Sequence, residues 1–133
     1  MRQHHSTINT RGTEAFRNIQ GESRLVENSV SFADNAGAVA AQQSPRSAHD
    51  LVATSLQHAA MAKRIFEQSR AWVREAHGTP ELPAVERVLT WMQHAAARAK
   101  AHATNTKRAF EKSFGKYDPR GVTDQNAARH RPT

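Results

Sequence analysis

Eight histidines are spread along the 133-residue chain, and histidine is the side chain best suited to ligate a metal or move a proton near neutral pH. Two imidazoles converge on one metal when they stand four residues apart on a helix. His49 and His58 are nine apart, His94 and His102 eight apart, and His4-His5 sits at the terminus. This spacing predicts no metal centre; His94 and His102 could add pH-sensitive charge to a basic face, and ordinary surface histidines are the favoured reading of these two. Nucleophilic chemistry has as little to build on. The chain has no cysteine, which removes thiolate nucleophiles, disulfides and thiolate-held zinc. Ser69 and Ser113 fall on a helical seam without a base in register, the acids are few and scattered, and no glycine-rich phosphate loop occurs. Catalysis needs a nucleophile, a base and an orienting group around a concavity. The expectation is therefore a protein that is not an enzyme and holds no cofactor.

Charge is the stronger chemical signal. Lys+Arg 19 against Asp+Glu 12 gives +7 with the histidines neutral. Residues 1–45 sum to 0, 46–81 to +1, 82–116 to +5 and 117–133 to +1. Within the basic stretch, Arg87, His94, Arg98, Lys100, Lys107, Arg108 and Lys112 map onto the helix face away from its apolar seam. Such a face can neutralise phosphates and release their counterions, or it can be an ordinary solvated surface. No stacking aromatics are interleaved with these cations, and no nucleic-acid module signature is present. Trp91 points outward beside Arg87 and Arg98, and tryptophan with arginine commonly dominates binding energy at protein interfaces. The competing reading makes Trp91 a core residue, covered by the N-terminal segment.

These residues need elements to hold them. Ser47, just after Pro45 and three residues before Asp50, predicts a capped helix start, with the helix running to about Ala76. Its apolar stripe is broad: Leu51, Val52, Leu56, Ala59, Ala60, Ala62, Ile65, Phe66, Trp72, Val73. Gly78 and Pro80 stop it, and Pro83 suits the first turn of a second helix. That helix, about 84–114, carries the heptad Val85, Leu89, Met92, Ala96, Ala99, Ala103, Thr106, Phe110 and ends at Gly115. The short connection forces an antiparallel hairpin. Folding about Pro80 sets Trp72 and Val73 near Val88, and Phe66 near Met92 and Ala95. Alanines then face alanines in the middle, and Leu51 and Val52 meet Phe110 at the open end. A seam of small side chains buries little area, so a third helix or a partner must cover it.

The N-terminal 1–45 is polar, and Gly12, Gly21 and Gly37 interrupt any long pattern. Phe16, Ile19, Val26, Val30 and Ala33 nevertheless recur near helical spacing, which predicts a helix within 13–42 over the short strand-like alternation at 29–32. The first 50 residues hold six serines and no acid occurs before Glu14. This leader resembles the N-terminal regions of effectors exported by bacterial type III secretion, departing from them at Gln3 and His4, where an aliphatic residue is common. Its acid-poor, arginine-containing start also resembles an organelle transit peptide. Ordinary disorder of a chain terminus accounts for the same composition.

Hydrophobic residues are 38% of the chain and mean hydropathy is −0.75, so part of it is expected not to pack. Neither a membrane span nor a secretory signal peptide is predicted. The sequence thus predicts an all-α protein in three parts: a partly disordered polar arm (1–45), a helical hairpin (46–116) completed by an N-terminal helix into a small bundle, and a flexible basic tail (117–133). The expected function is an interaction module that binds an acidic protein partner through Arg87, Trp91, His94, Arg98, Lys100, Lys107, Arg108 and Lys112, as a small regulator or a delivered effector. It would act in the cytoplasm or be delivered without a cleavable signal peptide. Nucleic-acid binding through the basic helix is the alternative.

Overall fold

The computed structural model describes residues 2–129, with side chains from Thr10 onward apart from Ala38 and Ala41. His130 and Arg131, which extend the basic tail, lie outside the described residues, as do the side chains of His4 and His5. The chain order is α1 (Arg2–Val39), a 3-10 turn (Ala40–Gln42), α2 (Pro45–Ala76), α3 (Leu82–Phe114) and α4 (Asp124–Arg129). No strand occurs among the described residues. The architecture is all-α, with three long helices packed on one another as a small bundle.

The hairpin forms as its punctuation predicts, with one shift. The cap of α2 is Ser44, whose hydroxyl accepts from the Ser47 backbone N–H at 3.2 Å, and Pro45 occupies the first turn. Ser47 is therefore the capped residue and not the cap. The physical reason is Pro45, which starts a helix without losing an intrahelical hydrogen bond. Likewise α3 begins at Leu82, with Pro83 in its first turn. Trp72, Val73, Val88, Phe66, Met92 and Ala95 share one apolar cluster, and Ala62, Ala99 and Ala103 are buried in the middle.

The third layer is α1. Arg11 Nη2 donates to the His77 carbonyl at 2.9 Å, so residue 11 meets the turn between α2 and α3. Asp34 faces His102 at 3.7 Å farther along. The helix thus runs parallel to α3 and antiparallel to α2. Ala15, Ile19, Val26 and Ala33 are buried beneath it. Helix continues through Gly12, Gly21 and Gly37, against the interruption their low propensity suggests. Tertiary contact accounts for two of them. A Cβ on Gly12 would approach Thr79 Oγ1 to 2.7 Å and collide with Glu81 Oε2, and one on Gly37 would stand 3.2 Å from Thr106 Oγ1. The missing side chains let α1 lie close on the hairpin, and that packing outweighs a propensity loss of about 1 kcal/mol per glycine.

Residues 117–129, read from sequence as a tail, pack against the open end of the hairpin. Tyr117 joins Ala48, Val52, Phe110 and Phe114 in a second apolar cluster. The buried His49 ring stacks on Tyr117 at 4.7 Å, and its Nε2 lies 2.6 Å from the Asp118 carbonyl. Asn126 is fully buried; its Nδ2 donates to the carbonyls of Phe114 and Lys116 at 2.8 and 3.1 Å. It therefore satisfies carbonyls just past the α3 ladder, which a helix end would otherwise leave to water.

Candidate functional site

The stripe on α2 is wider than one seam. Leu56 is 36% exposed and Ala60 is also exposed, so these two do not belong to the core face where sequence spacing put them. The reason is rotational: Val52, Ala59, Ala62 and Phe66 occupy the inner arc facing α3 and α1, and Leu56 and Ala60 lie beside it. There they border a groove of about 540 Å³ between α2 and α3. Its walls are Leu56, Ala59, Ala60 and Phe66 from α2 and Ala96 and Ala97 from α3, with no residue of α1. Alanines on both helices make it shallow and let the backbones come close.

Cations stand on the groove's rim. Lys63, Arg70 and Lys100 line it against the single acid Glu67. The Arg70 guanidinium carbon sits 5.0 Å from the centre of the Phe66 ring, a cation–π contact that holds its planar fork at one end of the apolar floor. None of these three cations forms an ion pair among the described residues, where the recorded pairs are His102 with Asp34 and Arg120 with Asp118.

The eight sequence-predicted site residues do not form one face. Trp91 and Lys100 are nine positions apart, which at about 100° per residue places them on opposite flanks of α3. Lys100 lines the groove. Lys107 shares its flank and is half-buried, so it does not project with the others. Arg87, His94, Arg98, Arg108 and Lys112 are exposed on the arc away from the seam. Trp91 borders that arc and remains 38% exposed even with α1 in place, so the N-terminal helix packs on the hairpin without making it core. His102, a candidate addition to the basic face, turns toward Asp34 of α1 instead.

Hydroxyls near bases are already committed. Ser29 is buried and donates to the Leu25 carbonyl at 3.1 Å, with His58 Nδ1 only at 3.4 Å and the His58 ring 4.6 Å from Phe32. Ser69 is buried too, donating to the Ile65 carbonyl at 2.7 Å and touching the Glu22 carboxylate. Among the described residues no group of three His, Asp or Glu is placed to hold a metal, and no helix is long and apolar enough to cross a membrane.

Sequence reasoning missed Lys63, Arg70 and Ala97 as parts of a site. The signal was present as a second stripe: Leu56, Ala60, Lys63, Glu67 and Arg70 follow one another at steps of four, three, four and three along α2. Only the neighbouring helix turns that stripe into a wall. Compared with protein-family models, with curated proteins and with solved structures, the chain has no match in any of the three.

Proposed function

We propose that this chain is a non-enzymatic interaction module that binds an acidic protein partner, acting as a small regulator or a delivered effector. The observation that carries the reading is the groove between α2 and α3, where exposed Leu56, Ala60 and Ala97 border buried Ala59, Phe66 and Ala96 and the rim carries Lys63, Arg70 and Lys100 against one acid, Glu67, with no ion pair to these cations among the described residues. Apolar floor and polar rim is the ordinary anatomy of a protein interface. Cations around it favour an acidic partner and speed its approach.

Nucleic acid is the competing ligand for a chain of charge +7. Its expected contact stripe on α3 is divided, because Lys100 and Lys107 lie on a different flank from Arg87, Arg98 and Arg108, and Trp91 is the one exposed aromatic beside them. The experiment is affinity capture by the purified protein from cell extract, with and without nuclease, using wild type and a Lys63→Glu/Lys100→Glu variant. An acidic protein that is retained after nuclease and lost in the variant supports the proposal. Capture that disappears with nuclease, together with oligonucleotide binding that survives physiological salt and vanishes in Lys107→Ala/Arg108→Ala, overturns it.

A further inference from the structure

We infer that the occupant of the α2–α3 groove is a single amphipathic helix of the partner, apolar on the face it buries and flanked by Asp and Glu. This rests on the interaction-module reading above and specifies its ligand. Three observations lead to it. The first is the shape of the vacancy. The α2–α3 seam has two sides, and α1 fills one of them with Ile19, Val26 and Ala33. On the other side Ala59, Ala60, Ala96 and Ala97 form a trough that a fourth helix fits as α1 fits the first. A trough of small residues needs large apolar side chains from the visitor, which is the usual pattern when a helix docks in a groove.

The second observation is length. Groove residues on α2 run from Leu56 to Arg70, a rise of about 21 Å, which matches about four turns of a partner helix. An extended strand has no open sheet edge here to pair with, so its backbone amides would be buried unsatisfied. The third observation is charge. Lys63 and Lys100 stand on opposite walls, so acids on both flanks of the visiting helix meet cations. Arg70, stacked on Phe66, presents its fork to a carboxylate at one end. The same cations oppose a second copy of this chain, whose own groove rim and α3 surface are positive.

A helical peptide library, displayed on phage with both groove-facing and flanking positions randomised, tests this against immobilised wild-type protein. Enriched clones should carry Leu, Ile or Met at helical spacing with Asp or Glu beside them. Peptides synthesised from them should bind about tenfold or more weakly to Ala97→Glu and to Lys100→Glu. Both positions are exposed, so thermal midpoints of these variants should match wild type and separate lost docking from lost folding. Failure to enrich any clone, enrichment of basic or non-helical sequences, or undiminished binding to Ala97→Glu overturns the inference. So does sedimentation showing a wild-type dimer that Ala97→Glu dissociates. A nuclease-resistant partner captured equally by wild type and Ala97→Glu would leave the interaction module standing and remove the helix from its groove. Nuclease-sensitive capture would remove the module itself.

Discussion

Ala99 and Ala97 are two residues apart on α3 and differ in everything that decides the effect of a larger side chain. Ala99 is fully buried in the middle of the bundle, where the seam is lined by Ala62, Ala95, Ala96 and Ala103. About two turns away α1 is held at short range, as a Cβ on Gly37 would stand 3.2 Å from Thr106 Oγ1. Leucine at 99 adds three carbons. Burying them would contribute about 0.8 kcal/mol each if there were room. There is none without moving a helix, and overfilling a close-packed site costs about 1–3 kcal/mol. For 133 residues, with an unfolding entropy of about 2 cal/mol/K per residue, a loss of about 2 kcal/mol lowers the thermal midpoint by about 7 °C. Ala97 is exposed at the groove, so Ala97→Leu should leave the midpoint within about 2 °C, as surface substitutions change stability by about 0.5 kcal/mol or less. Melts of both variants, followed by far-ultraviolet circular dichroism, make the comparison. Equal shifts in the two, or an unchanged midpoint for Ala99→Leu, would refute the close alanine seam and with it the separation of inner and outer sides of the hairpin.

Glycines in α1 should respond in opposite directions. Gly21→Ala meets open space and should raise stability by about 0.5–1 kcal/mol, whereas Gly12→Ala collides with Thr79 and Glu81 and should lower it; chemical denaturation of the pair reads both signs. Asn126→Ala removes two donors to α3-end carbonyls and should release residues 117–129 locally, seen as faster amide exchange there with α1 protection unchanged; exchange that does not change would show that Tyr117 and His49 hold the segment alone. The Asp118 carboxyl is held down to about 2 by side-chain hydrogen bonds from Arg120 and then by the Arg120 backbone N–H, against an ordinary value of 3.8. Because the folded value is the lower one, this pairing supports the turn above about pH 4 and is lost as pH falls through about 2. A carboxyl NMR titration should show that low midpoint and its return toward the ordinary range in Arg120→Ala, and a midpoint indifferent to the substitution would count against the pair.

What the sequence determined by itself is whatever a local rule controls. Gly78, Pro80, Pro83 and Gly115 mark where helices start and stop because each acts through its own backbone, and the heptad from Val85 to Phe110 names its inward face because helical periodicity is intrinsic to the chain. Phe16, Ile19, Val26, Val30 and Ala33 likewise announced an N-terminal helix. The tertiary structure decided everything that depends on a second element. Gly12 and Gly37 look like interruptions until the hairpin is seen pressed against them. Leu56 and Ala60 read as core until α3 is seen to reach only the neighbouring arc. Lys100 and Trp91 read as one surface until the groove takes the first and leaves the second on the other flank. Asn126 looks like a polar tail residue until the end of α3 supplies the carbonyls it satisfies. In each case the side chain's own chemistry is unchanged; what differs is which neighbour lies within a few ångströms, and that separation is set by helix packing, which no local pattern encodes.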